Sequence, residues 1–160
     1  MLENHPLLNI VQGFSQLDFE YSEQLLAALI PMSFTVIFHA MGMGVVGLYL
    51  KRFGLPLLHG AHVTARIIVM TGIVGITLVS HLFEIAIWAV FYLGTGLLPN
   101  AHKAMFFSME SYTTLGASNI TLSGRWLGFE GFEAMTGMLM FGWSTAILAA
   151  VVMKFHSIDD

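Results

Sequence analysis

The chain has 160 residues, of which 56% are hydrophobic and only 10% charged, with a formal net charge of −4 and a mean hydropathy of +0.77. A soluble domain carries roughly a quarter charged residues, so this composition points to a bilayer as the solvent. No basic stripe is present to track phosphates, which excludes nucleic-acid binding, and the absence of cysteine excludes disulfides, thiolate metal ligands and cysteine nucleophiles.

In chain order, residues 1–24 make a first unit, expected on the periplasmic or extracellular face. Met1 to Pro6 has neither the basic start nor the apolar run of a signal peptide, and Asp18, Glu20 and Glu23 make the remainder acidic. Leu7, Leu8, Ile10, Val11 and Phe14 recur at helical spacing, which predicts a short amphipathic helix on the membrane surface. Residues 25–66 hold a first membrane helix, Leu25 to Leu50, followed by a loop. His39 is the only ionisable residue in that helix and reads as a hydrogen-bonding group between packed helices rather than a ligand.

Residues 67–154 contain two further apolar runs, Ile67 to Leu93 and Trp126 to Met153. At ~1.5 Å per residue each run exceeds the ~30 Å hydrocarbon core. Gly42, Gly44, Gly47, Gly72, Gly75, Gly131, Gly137 and Gly142 are small residues of the kind that let membrane helices approach closely. Lys51, Arg52 and Arg66 flank the loop between the first two spans, and Lys154 ends the third. Basic residues mark the cytoplasmic side, so the expectation is a multi-pass protein of the cell (inner) membrane, N-terminus outside and C-terminus in the cytoplasm.

Between the second and third spans, Pro99-Asn100 has the form of a helix start. Residues 101–112 then make a helix of about 18 Å, too short to cross and too apolar at its centre for an ordinary loop. A segment of that length reads as re-entrant. Thr113 to Asn119 is unsuited to helix, and non-helical backbone is tolerated at membrane depth only inside protein or against water. A half-helix ahead of it aims a partly negative C-terminal end at the membrane centre, and backbone carbonyls there could replace a cation's hydration shell. The plain alternative is an extracellular linker.

Tyr112-Thr113-Thr114-Leu115-Gly116 resembles the start of the potassium-channel selectivity filter, Thr-Thr-Val-Gly-Tyr-Gly-Asp. Other landmarks occur in family order. Glu110 falls where some prokaryotic members carry a pore-helix glutamate behind the filter, and Gly124-Arg125 is similar to the pair that opens their inner helix. Gly137, Gly142 and Thr145-Ala146 resemble its glycine hinge and Thr-Ala, and His81 to Ala89 resembles the outer helix of small two-helix members. The resemblance spans roughly Thr71 to Met153. It implies an all-α membrane protein with a tetrameric pore, built from outer helix 67–93, pore helix 101–112, filter 113–119 and inner helix 125–154. It implies a homotetramer in lipid that conducts monovalent cations, K+ or Na+, with no cofactor, no metal beyond the permeant ions and no enzymatic activity. The first span lies outside this unit, no regulatory domain is expected in residues 155–160, and no span carries the arginine ladder of a voltage sensor.

The filter departs from the family in its second half. Ala117 stands where the aromatic brace belongs, Ser118 replaces the second glycine, and Asn119 replaces the aspartate. A left-handed backbone at Ser118 would cost ~1–2 kcal/mol. The expectation is a truncated filter over Thr113 to Asn119 in which Thr114 and the carbonyls of Thr114, Leu115 and Gly116 keep the inner sites and the outer ones, at Ala117, Ser118 and Asn119, are widened or lost, giving a weakly selective pore. A potassium-selective pore and a non-conducting accessory subunit are the alternatives.

Phe141 and Trp143 flank the hinge, and either could line or plug the inner cavity; Thr145 completes the expected gate region with Gly137 and Gly142. Glu110, Glu84, His81 and Glu133 are expected behind the filter. Ionisable groups inside membranes pair with one another or mark function, so these residues either form a proton-sensitive network or tie the helices together. An intramembrane enzyme using His81, Glu84 and Glu133 as metal ligands or acid–base groups is a third class, but His-x-x-Glu on a helix is too common to carry it.

Overall fold

The computed structural model describes residues 6–54, 56, 63–117 and 119–159. Its regular structure is helical throughout the described residues. Helix α1 runs Pro6–Tyr49 and ends in a π-helical turn, Leu50–Gly54. Helix α2 is Val63–Gly94, the short α3 is Ala101–Tyr112, a 3-10 turn occupies Gly124–Trp126, and α4 is Glu130–Asp159. Three stretches are long and apolar enough to cross a membrane: Tyr21–Gly54, Val63–Gly94 and Gly124–Phe155. The chain is an all-α protein of the membrane class.

Two boundaries differ from the sequence expectation. The N-terminal segment is not a separate short helix; it is continuous with the first span through 44 residues. No proline or glycine stands between Phe14 and Leu25, so nothing there ends a helix. The last helix begins at Glu130 rather than at residue 125, because Leu127 is extended (φ −59°, ψ 125°) and Gly128 has φ +83°. That left-handed conformation is open to glycine at no steric cost.

The long helices alternate in direction. Ser80 lies against Gly42 and the Tyr49 ring against Gly72, so α1 and α2 are antiparallel and closely packed. Close packing of this kind, rather than the hydrophobic effect, holds helices together in lipid. Gln24 donates to the backbone of Arg125 and Leu127, while Met43 and Val46 cluster with Val151 and Phe155. Helix α1 therefore runs parallel to α4. Lys51, Arg52, Arg66 and Lys154 gather at one end of the spans, and Glu23 and Arg125 pair at the other.

Helix α3 sets the depth of the loop attached to its carboxyl end. It runs antiparallel to α2, with Ser108 reaching Ile85 and Tyr112 reaching His81 and Glu84. His81 is thirteen residues back from Gly94, about 20 Å along the helix, and so near the middle of α2. Ser108 meets Glu133 and Tyr112 meets Gly137, so α3 and α4 descend side by side. The chain from Thr113 to Phe129 must climb back from mid-helix depth to start α4.

Candidate functional site

The amino end of α3 is capped as the sequence specifies. The Asn100 side chain accepts from Lys103 N at 2.9 Å, satisfying one of the free amides of the first turn. The carboxyl end closes in a Schellman turn. Thr114 N donates to Ser111 O (3.0 Å) and Leu115 N to Glu110 O (2.9 Å), with Gly116 N also on Glu110 O at 3.4 Å. The left-handed residue of that turn is Thr114, at φ 58°. Glycine usually takes this place, and a β-branched residue there is an outlier. Gly116 is likewise left-handed, at φ 58°.

Thr113, Thr114, Leu115, Gly116, Ala117 and Asn119 are all exposed, Leu115 at 69%. Ser118 lies outside the described residues. A non-helical strip of exposed residues thus stands at the depth of the middle of α2.

Behind this strip are two buried polar clusters. In the first, His39 Nδ1 lies 2.9 Å from Glu84 Oε1, and the Tyr112 hydroxyl donates to Glu84 Oε2. His81 Nδ1 stands 3.0 Å from Tyr112 Oη and 3.4 Å from Glu84 Oε2. Ser144 Oγ faces both imidazoles, 3.4 Å from His39 Nε2 and 3.2 Å from His81 Nε2. All four helices contribute to it. In the second cluster, Tyr92 donates to Glu133 Oε2 at 2.8 Å, and Ser108 Oγ lies 2.5 Å from Glu133 Oε1 and 2.7 Å from Ile85 O. His39, Glu84 and Glu133 are fully buried.

Of the four residues expected behind the filter, His81, Glu84 and Glu133 do reach the short helix, but in two clusters rather than one. Glu133 is not grouped with His81 and Glu84; His39 takes that place. Glu110 joins neither cluster. It lies two residues from both Ser108 and Tyr112, and positions two apart on a helix point to opposite sides. Glu110 instead borders a cavity of about 410 Å³ with Thr114, Gly116, Thr121 and Glu130. Its Oε2 and that of Glu130 are buried without a hydrogen-bond partner. No bond joins Asn119 to Glu110 among the described residues.

At the expected hinge, a Cβ on Gly137 would collide with the carbonyl oxygen of Tyr112, whereas one on Gly142 would meet nothing within 4 Å. The Phe141 ring lies tilted at 4.5 Å from His81 and edge-on at 5.5 Å from Tyr112. Thr145 bonds back to Phe141 O at 2.8 Å and is exposed.

The sequence reading missed Tyr92, Ser108 and Ser144, and it gave His39 no carboxylate. A usable signal existed for Ser108 and Tyr112, which are four residues apart and share one face of α3. Comparison with family models, with curated proteins and with solved structures finds no match.

Proposed function

We propose that the chain is one subunit of a homotetrameric cation channel of a cell membrane. Helix α3 is its pore helix and residues 113–119 form a shortened, weakly selective filter for K+ or Na+. One observation supports this above the others: residues Thr113 to Ala117 are exposed on the single chain at mid-helix depth, and although the N–H groups of Thr113 to Gly116 turn back onto α3, the carbonyls of this stretch accept no hydrogen bond among the described residues. In a bilayer, each unsatisfied backbone group facing lipid costs several kcal/mol. Further copies of the chain around a water-filled axis remove that cost. The resemblance of Thr113-Thr114-Leu115-Gly116 to a potassium-channel filter supplies the number four. The basic residues at one end of the spans favour a cytoplasmic first loop and C-terminus.

A non-conducting accessory subunit is favoured by a different observation. Leu115 N and Gly116 N both bond to Glu110 O, so the segment curls over the end of α3.

The deciding experiment is the reversal potential of purified protein in planar bilayers, with potassium on one side and sodium on the other. Unitary currents reversing near zero are the expected result. Reversal at the potassium equilibrium potential would mean that enough sites remain for selectivity. Pure protein that gives no unitary currents would favour the accessory reading. Introducing Ala117→Tyr with Ser118→Gly should shift the reversal toward potassium if the outer half of the filter sets selectivity.

A further inference from the structure

We propose that His39, His81 and Glu84 form a binding site for a divalent transition-metal ion, with Ser144 orienting both imidazoles. The site lies where α1 meets α2 beside the end of α3. It would tie the first span to the rest of the bundle whether or not the bundle conducts.

The cluster is one hydrogen short. Five contacts link it: His39 to Glu84, Tyr112 to Glu84, His81 to Tyr112, and Ser144 to each histidine. Each needs one hydrogen. Two neutral imidazoles, one phenol and one serine hydroxyl bring four between them. One contact is therefore left with two lone pairs facing each other, in a place where His39 and Glu84 have no access to water. An unsatisfied buried polar contact costs about 1–3 kcal/mol, so the cluster is complete only with a further cation.

A metal ion completes it in detail. With the metal on the two Nδ1 atoms, each ring carries its hydrogen on Nε2. Both Nε2 atoms face the single oxygen of Ser144, which has two lone pairs to accept them. Histidine ligands characteristically donate their other ring N–H to such a partner. The Tyr112 hydroxyl then donates to Glu84 Oε2 and holds that carboxylate in place. The ligand atoms lie near the spacing a metal needs. Tetrahedral metal–nitrogen and metal–oxygen bonds of about 2.0–2.1 Å put neighbouring donors about 3.3 Å apart. His39 Nδ1 lies 2.9 Å from Glu84 Oε1 and His81 Nδ1 lies 3.4 Å from the other oxygen, Oε2; one ligand atom from each residue falls within 4.8 Å of the others, so the three side chains would draw together by up to about 1.5 Å on binding. Imidazole with carboxylate suits zinc and its first-row neighbours, not magnesium or calcium. Three protein ligands leave a fourth position, beside which the Tyr112 hydroxyl stands, 3.0 Å from His81 Nδ1.

The test uses the full chain, purified in detergent without a histidine tag, stripped with chelator and titrated with Co2+ and, separately, Zn2+. Metal content is read by plasma mass spectrometry and the Co2+ site by its visible d–d absorption. The expected result is one ion per chain, with Co2+ in a low-symmetry nitrogen–oxygen site. His39→Ala and Glu84→Gln should each weaken binding at least 100-fold, Ser144→Ala by about 10–100-fold, and His102→Ala not at all. If the first two variants do not purify as folded protein, Ser144→Ala carries the comparison, since it removes a single hydroxyl. Well under one ion per chain in the wild type overturns the proposal and leaves an extra proton as the cluster's cation. Stoichiometric binding unchanged in Ser144→Ala and His39→Ala overturns it too.

Discussion

Adding one methyl group at Gly137 tests the packing of α3 on α4, and with it the placement of the exposed loop. The Cβ of Gly137→Ala would sit against the carbonyl oxygen of Tyr112, a backbone atom that no rotamer change can move aside. An ordinary C···O contact is about 3.3–3.6 Å, and the added carbon falls well inside it. Helix α4 must back away by roughly 1 Å, or the end of α3 must tilt. Overpacking of this kind costs about 1–3 kcal/mol, against a gain of about 1 kcal/mol from replacing a mid-helix glycine by alanine. A net loss of up to about 2 kcal/mol is expected. The matched control is Gly142→Ala, where nothing lies within 4 Å and only the helix-propensity gain remains. Thermal unfolding in detergent, with single-channel recording alongside, separates the two. Gly137→Ala should melt lower and, in the proposed channel, alter conductance, because Tyr112 leads directly into Thr113. Gly142→Ala should melt no lower than wild type. If Gly137→Ala melts at or above the wild-type temperature, the close contact between α3 and α4 is wrong. If Gly142→Ala alone changes opening, that glycine acts as a hinge and its open surroundings do not describe its role.

Three further substitutions probe α3 and its ends by the same unfolding assay. Thr114→Gly should stabilise the chain, by at most ~1–2 kcal/mol, by relieving a left-handed threonine; destabilisation would mean that the Schellman turn is not the resting form. Asn100→Ala should cost about 1 kcal/mol by removing the cap on Lys103 N. Ser108→Ala should cost about 1–3 kcal/mol by leaving Ile85 O and Glu133 Oε1 without their shared partner, and a cost below ~0.5 kcal/mol would argue against that bond.

Helix α3 was legible to the residue because its ends rest on local chemistry. Pro99-Asn100 starts it, and Thr113-Thr114-Leu115-Gly116 has no reason to continue it. The three spans were legible from length and hydropathy alone. The start of α4 was not. Arg125, Trp126 and Leu127 look helical in isolation, but they form a 3-10 turn followed by an extended Leu127 and a left-handed Gly128, which together break the run. The clusters were half legible. His81 and Glu84 announce a shared face by their spacing, and His39 stands out as the lone ionisable group of its span. Which of them meet depends on how far α1 slides along α2. That register is set by contacts such as Tyr49 on Gly72 and Ser80 on Gly42, which have no mark in either sequence segment alone. Ser108 and Ser144 were missed because a serine in an apolar helix normally satisfies itself on its own backbone, and here each is turned toward another helix.

Glu84 and Glu133 look alike as buried glutamates, yet their hydrogen bonds predict different responses to Gln. Ser108 has one hydroxyl hydrogen and two oxygens close by, Ile85 O at 2.7 Å and Glu133 Oε1 at 2.5 Å. If that hydrogen goes to the Ile85 carbonyl, the Glu133 contact must be bridged by a hydrogen on Glu133 itself. The carboxyl then acts as donor to Ser108 and acceptor from Tyr92, and an amide can do both. Glu133→Gln should therefore stay within about 1 kcal/mol of wild type. Glu84 differs, because His39 and Tyr112 each bring a donor or a shared cation to one of its oxygens. An amide nitrogen there would face a group that needs an acceptor, and the cation beside it would lose its counter-charge. Removing one partner of such a buried pair costs about 3–5 kcal/mol, so Glu84→Gln should lower the melting temperature far more than Glu133→Gln. Infrared difference spectra supply an independent reading: a protonated carboxyl band should be present in wild type, absent in Glu133→Gln and retained in Glu84→Gln. Equal destabilisation by the two variants, together with no carboxyl band, would mean that both glutamates are buried as carboxylates and that the hydrogen count at Ser108 is wrong.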